Sequence, residues 1–266
     1  MKMPVYFVSH GGGPWPWISD WDQMYAKLRL SLEQMPEQLP ERPKAILMIS
    51  AHWISRDELL VMSNPQPSML YDYYGFPEHT YSIQYPAPGS PELAQQVSEL
   101  LQAQGFAVRA DAERGFDHGA FVPLAVAFPQ ANIPVIQLSI EQHYNPDYHL
   151  RMGQALASLR EQGVLIIASG LSFHNMRMFN AQGTQPSRDF DAWLQETMTE
   201  LSGEQRAERL RQWEQAPAAR ICHQYEDHLI PLMVAVGAAY EDPAQAVYHD
   251  QAALGSVTAA SFKLGE

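Results

Sequence analysis

Four short apolar runs constrain the fold most strongly. Val5 to Val8, Ala45-Ile46-Leu47-Met48-Ile49-Ser50, Ile133 to Ile140 and Val164-Leu165-Ile166-Ile167-Ala168 are continuous rather than alternating. A strand with only one buried face alternates, so continuous runs of this length point to strands buried on both faces. Helical patterns separate them. Ser90-Pro91-Glu92 offers an N-cap, a proline at the first helical position and an early carboxylate, with Leu93, Val97, Leu100 and Leu101 following on one face and Gly105 closing the helix. Asn145-Pro146 repeats the device, with Tyr148, Met152, Leu156 and Leu159 on one face and Gly163 at the carboxyl end. The expected fold class is therefore α/β, with a mainly parallel central sheet flanked by helices. No internal repeat, low-complexity tract or linker divides the chain, so residues 1–266 are expected to form one domain.

Two other stretches are distinctive. Asn64 to Gly89 is crowded with Pro, Tyr and Gly and reads as an ordered, aromatic-rich excursion near a site. Pro186 to Gln215 is helical and charged and is expected to lie outside the sheet.

Composition removes several function classes. Seventeen Lys+Arg against thirty Asp+Glu give a formal charge of −13, and no basic run is present to neutralise a phosphate backbone, so no nucleic-acid partner is expected. A single cysteine, Cys222, excludes an internal disulfide, and the apolar run at the amino terminus is too short for a signal peptide, so a cytoplasmic location is expected. No apolar stretch approaches the roughly 18 residues a membrane span needs.

The chemistry is written in histidines. His10, His52 and His174 each stand just past an expected core strand, and in open α/β sheets ligands bind outside the carboxyl ends of the strands. One histidine at a strand end is more often a cap or a packing residue; three converging there suggest a metal, since imidazole is the commonest transition-metal side-chain ligand. Gly11-Gly12-Gly13 after His10 suits a turn with positive φ. A phosphate loop fits poorly, because the stretch lacks Gly-Lys-Ser/Thr and runs into Pro14-Trp15-Pro16-Trp17. Gly170-Leu171-Ser172-Phe173-His174 is only a loose nucleophile elbow, with His174 in the place of the second glycine. His118, in Arg114-Gly115-Phe116-Asp117-His118-Gly119, and His228, in Tyr225-Glu226-Asp227-His228, stand in short motifs that capping chemistry alone would explain. A metal on His10 and His52 nonetheless lacks a third anchor, and His228, Asp227 or Glu226 offers one. His79, His143, His149, His223 and His249 are expected at the surface.

Seven motifs, in order, resemble those of the class III extradiol ring-cleavage dioxygenases, in the DOPA-dioxygenase-type branch. They are His10-Gly-Gly-Gly-Pro, Ser50-Ala51-His52-Trp53, Tyr85-Pro-Ala-Pro-Gly-Ser-Pro, Arg114 to Gly119, Ile133 to Ser139, Ser169-Gly170 with His174-Asn175, and Asp227 to Leu232. The resemblance implies a non-haem Fe(II) site, often found holding Zn(II), and O2-dependent opening of a small aromatic diol beside its paired hydroxyls. It further implies that His10, His52 and His228 are metal ligands, that His174 is an acid/base able also to join the metal, and that His118 faces substrate. Trp15, Trp17, Tyr73 and Phe76 are then expected to line the pocket, stacking on the ring and excluding water. Two departures stand out: the Gly-Gly-Gly-Pro-Trp-Pro-Trp stretch, where His-Gly-Ser/Asn-Pro is usual, and Asp227, where the branch usually has Glu. A zinc hydrolase using the same imidazoles and a non-catalytic relative that keeps the cleft are the alternatives.

Overall fold

The computed structural model describes residues 1–266. Its strands are β1 (Val5–Ser9), β2 (Ala45–Ser55), β3 (Leu59–Met62), β4 (Val108–Asp111), β5 (Val135–Glu141), β6 (Val164–Gly170), β7 (Ala244–Ala253) and β8 (Val257–Leu264). Its helices are α1 (Ser19–Met24), α2 (Ala26–Glu33), α3 (Pro91–Ala103), α4 (His118–Ala127), α5 (Pro146–Leu156), α6 (Ala181–Thr199), α7 (Gly203–Arg211), α8 (Ala219–Cys222) and α9 (Ile230–Ala238). All eight strands join one sheet in the order β4-β3-β5-β2-β6-β1-β8-β7.

The centre matches the expectation from the apolar runs. β5, β2, β6 and β1 pair in parallel, and β1, β5 and β6 are buried along their whole lengths. The third run begins at Val135 rather than Ile133, because Pro134 has no amide hydrogen for the ladder. Helices cover both faces. α9 packs on β1, β2 and β6 and against α5, while α4 packs on β2 and β6 and against α2.

Caps behave as their chemistry requires. Ser90 Oγ accepts from Leu93 N and Asn145 Oδ1 from Tyr148 N, and each helix carries proline in its first turn. Gly163 does close the second unit with a left-handed φ of 85°, but a 3-10 segment, Ala157–Gln162, intervenes after α5. Pro186 falls inside α6, which begins five residues earlier and lies directly on β8 and β7; Ser187 Oγ accepts from Thr258 N at 2.9 Å. The segment expected outside the sheet therefore covers one of its flanks. No helix is long and apolar enough to cross a membrane.

Candidate active site

The parallel order brings the carboxyl ends of β1, β2 and β6 side by side, and five histidines meet there. His10 leaves β1 directly. Its Nδ1 lies 2.8 Å from the Gly11 carbonyl, which can only accept, so the proton sits on Nδ1 and Nε2 keeps its lone pair. Gly11 has φ of 74°, and a Cβ there would lie 2.5 Å from the Trp15 indole, so the turn requires glycine twice over.

His52 is not past a strand but within β2. The pairing of β2 with β5 shifts register between Ile49 and Ile54, and His52 lies in that irregularity, the kind of bulge that re-aims a side chain. Ser50 Oγ accepts from His52 N at 3.2 Å and donates to Asp117 Oδ1 at 2.7 Å. Asp117 is in turn the N-cap of α4, whose first residue is His118.

His228 precedes α9. Its carbonyl accepts from Leu171 N at 2.9 Å, and a Cβ on Gly170 would come within 2.1 Å of that oxygen, so the end of β6 and the entry to α9 are in direct contact. His174 stacks on His228 with ring centroids 3.5 Å apart and planes 21° apart.

Ring centroids of His10 and His52 lie 4.9 Å apart, those of His10 and His228 5.3 Å, and those of His52 and His228 4.9 Å. His118 joins them, 3.9 Å from His52 and 5.3 Å from His10. The ligand atoms of His10, His52 and His118 lie within 4.8 Å of one another, and those of His174, Asp227 and His228 form a second such group.

Electrostatics suit a cation. His10 and His52 are held well below the ordinary imidazole pKa, by burial first and by the neighbouring His118 second. Burial also pushes His174 down to about 3, helped by His228 and partly opposed by Asp227. These rings are therefore neutral at neutral pH. His10 Nε2 and His52 Nε2 are buried without any hydrogen-bond partner. Unpaired buried lone pairs are costly and rare in folded proteins, and a metal is the group that would satisfy several at once. The donor set thus fits a divalent ion.

Of two carboxylates at the site, Asp72 was missed by the sequence reading, while Asp227 stood among the candidate third anchors. Asp72 Oδ1 accepts from both His118 N and His118 Nδ1 at 2.9 Å, and Oδ2 stands 3.5 Å from His52 Nδ1. Burial alone would raise its pKa, but the hydrogen bonds from His118 outweigh it and hold the carboxyl below the usual range. Asp227 Oδ2 lies 3.0 Å from His228 Nδ1, and Oδ1 3.9 Å from His174 Nδ1.

Of the four expected pocket rings, Tyr73 packs edge-on to His118 at 5.9 Å and Phe76 packs on Tyr73 at 5.4 Å. Trp17 lies 6.1 Å from Phe121. Trp15 is a correction: it is fully buried, its Nε1 donates to the His10 carbonyl at 2.9 Å and it packs on Tyr25, so it floors the loop and presents nothing to a pocket. The 3-10 turn Trp15–Trp17 causes this by turning the first indole inward.

His149 and His223 are corrections as well, since both are fully buried. His149 Nε2 accepts from Glu141 N and its Nδ1 bonds the Asn145 carbonyl, while His223 sits between Phe190 and Trp213 with Nε2 on the Ser172 carbonyl. A cleft of about 370 Å³ lined by Leu39, Arg42, Phe128 and Asn132 lies at the amino ends of β2 and β5, the opposite pole from the histidines.

A fold and a histidine cluster of this kind define a class. The family described as the catalytic LigB subunit of aromatic ring-opening dioxygenase matches residues 8–263, and the chain belongs to it. Within it the chain falls in the DOPA-dioxygenase branch of the class III extradiol dioxygenases, and it is an oxidoreductase. It is 39% identical to the 4,5-DOPA dioxygenase extradiol of Beta vulgaris, over 97% of this chain and 95% of that protein. It is 33% identical to the 4,5-DOPA dioxygenase extradiol of Escherichia coli K12, over 89% and 85%. The crystal structure of an uncharacterized protein from Escherichia coli K12 superposes with a TM-score of 0.79 at 29% identity, covering 99% of this chain and all of that one.

Proposed function

We propose that this enzyme uses O2 to open the ring of a small catechol, DOPA-like or another aromatic diol, with Fe(II) held by His10, His52 and His228. The observation that supports it best is the pair of unpaired, buried ring nitrogens, His10 Nε2 and His52 Nε2, with the His228 ring 5.3 and 4.9 Å from theirs. An ion bound there would supply Lewis acidity toward the paired catechol oxygens and coordination places for both substrates. Zn(II) suits the same neutral imidazoles and is the competing occupant.

The remaining groups handle substrate and protons. His174 is neutral and stacked on His228, so it can accept the second catechol proton and return it, and its position also lets it serve as an additional ligand. A catecholate nearby would raise its basicity from the low value burial imposes. His118 faces the substrate side, held by Asp72. Tyr73, Phe76 and Trp17 form an apolar wall against water on the same side. We read residues 1–266 as one catalytic unit, since the family match and a continuous core span them. The lone, buried Cys222 suits a reducing cytoplasm.

The test is anaerobic reconstitution with Fe(II), followed by L-DOPA and a panel of other catechols in air. Ring opening should appear as a yellow product with one O2 consumed per substrate. A metal-loaded enzyme that turns over none of the panel refutes the reading.

A further inference from the structure

The loop that carries Asp72 is held without it. Tyr71 Oη donates to the Ile83 carbonyl and Tyr73 Oη to the Thr80 carbonyl, each at 2.6 Å, and Leu70 N bonds the Phe116 carbonyl. The Asp72 side chain faces two histidines: Oδ1 accepts from His118 N and Nδ1 at 2.9 Å, and Oδ2 stands 3.5 Å from His52 Nδ1.

A neutral imidazole has one N–H and one lone pair, and a carboxylate can only accept. The His118 Nδ1 bonded to Asp72 therefore carries hydrogen, the carboxylate 3.5 Å from His52 Nδ1 favours hydrogen there as well, and each lone pair is left on Nε2. For His10 the Gly11 carbonyl does the same. His10 Nε2 and His52 Nε2 are both buried without partners, and the ligand atoms of His10, His52 and His118 lie within 4.8 Å of one another. We propose that Asp72 is a positioning residue that sets the tautomers of His52 and His118 together, turning both Nε2 lone pairs into the histidine cluster. One carboxylate thereby couples a metal ligand to the substrate-facing histidine, and ties both to the loop that presents Tyr73 and Phe76. The metal part of this inference rests on the function proposed above; the tautomer part does not.

Asp72→Asn is the discriminating change. An amide oxygen in the Oδ1 place keeps both His118 bonds, but an NH2 in the Oδ2 place donates toward His52 Nδ1 and demands a lone pair there. His52 must then carry its hydrogen on Nε2, where it cannot bind metal. Removing outer partners of ligating histidines typically weakens metal binding 10- to 100-fold.

The experiment uses the full chain labelled with 15N-histidine, stripped by chelator and read by long-range 1H–15N correlation, then titrated with Zn(II) against a chromophoric chelator. Wild type should show His10, His52 and His118 as Nδ1–H tautomers. Asp72→Asn should move His52 alone to Nε2–H and weaken Zn(II) by about 10- to 100-fold, with its other correlations unchanged. Finding His52 as Nε2–H in wild type overturns the proposal without any variant. So does an Asp72→Asn chain with unaltered tautomers and Zn(II) affinity within about twofold of wild type. A wild type that opens no catechol yet shows these tautomers sinks the catechol reading alone, whereas one that opens catechols with His52 as Nε2–H sinks only the role of Asp72.

Discussion

Replacing Asp117 with alanine should destabilise the protein more than any other single change at the site's base. Its side chain is fully buried and takes four donors: Ser50 Oγ at 2.7 Å, Arg114 Nη2 at 2.6 Å, Gln137 Nε2 at 2.8 Å and Ala120 N at 3.1 Å. Losing an N-cap costs about 1 kcal/mol. Arg114, whose side chain is 15% exposed, would keep only the His52 carbonyl at 3.2 Å, and removing one partner of a buried ion pair typically costs about 3–5 kcal/mol. The two together predict about 4–6 kcal/mol, against a total stability for such a domain of roughly 5–15 kcal/mol. Asp117→Asn keeps the cap and an acceptor for Ser50, and should cost about 1–2 kcal/mol less than the alanine. Urea unfolding read by far-UV dichroism gives the free energies. Tryptophan fluorescence adds a local probe, since the Arg114 guanidinium stands 4.8 Å from the Trp53 ring. An alanine variant within about 1 kcal/mol of wild type would refute the view that this carboxylate holds the base of the site together.

Gly170→Ala drives a Cβ to 2.1 Å from the His228 carbonyl, so it should cost about 1–3 kcal/mol and weaken metal binding through His228; unchanged metal affinity would contradict the contact. His149 is held down to about 4 by burial and stays neutral in the folded chain. The unfolded state then binds the extra proton, so its contribution is complete above about pH 6.5 and is lost as pH falls toward 4, by about 3 kcal/mol in all. His149→Gln should flatten that part of the stability profile, and an unaltered profile would remove His149 as its cause. His174→Ala should abolish turnover while metal content falls little, whereas loss as complete as in His52→Ala would make His174 a ligand first. His118→Ala should mainly weaken catechol binding or slow a late step, and unchanged kinetics would refute its place on the substrate side.

What the sequence disclosed followed from how locally each feature is determined. Continuous apolar runs announce strands buried on both faces, so β1, β2, β5 and β6 were legible, and with them the pole where His10, His52 and His174 emerge. β7 and β8 were not, because Ala, Ser, Gln and Thr dilute their hydrophobic signal; β8 is buried throughout only because α6 and β1 happen to cover it. His149 and His223 read as surface residues because a buried histidine is betrayed by its partners. For His223 the Ser172 carbonyl and the Phe190 ring lie far away in sequence, while for His149 the Glu141 amide and Asn145 carbonyl are near but come together only once β5 turns into α5. Asp72 had no local signature at all. Its place beside His52 and His118 depends on a loop path set by hydroxyl-to-carbonyl bonds of its neighbouring tyrosines.

The way charge is distributed at this pole follows one logic. The groups proposed to hold the ion are imidazoles, with Asp72 set against His118 and His52 and Asp227 against His228 and His174. A carboxylate in direct contact would cancel part of a divalent charge where substrate must feel it. Set behind an imidazole instead, it fixes the ring's proton and orientation while leaving the field on the open side stronger. Asp227 is shorter by one methylene than the glutamate usual at its place, yet its two oxygens already reach toward both His228 and His174, at 3.0 and 3.9 Å. The substitution is therefore compatible with the same arrangement, and differences in substrate choice between this enzyme and its relatives should be sought on the aromatic side, where Trp17, Tyr73 and Phe76 stand, rather than in the histidine cluster.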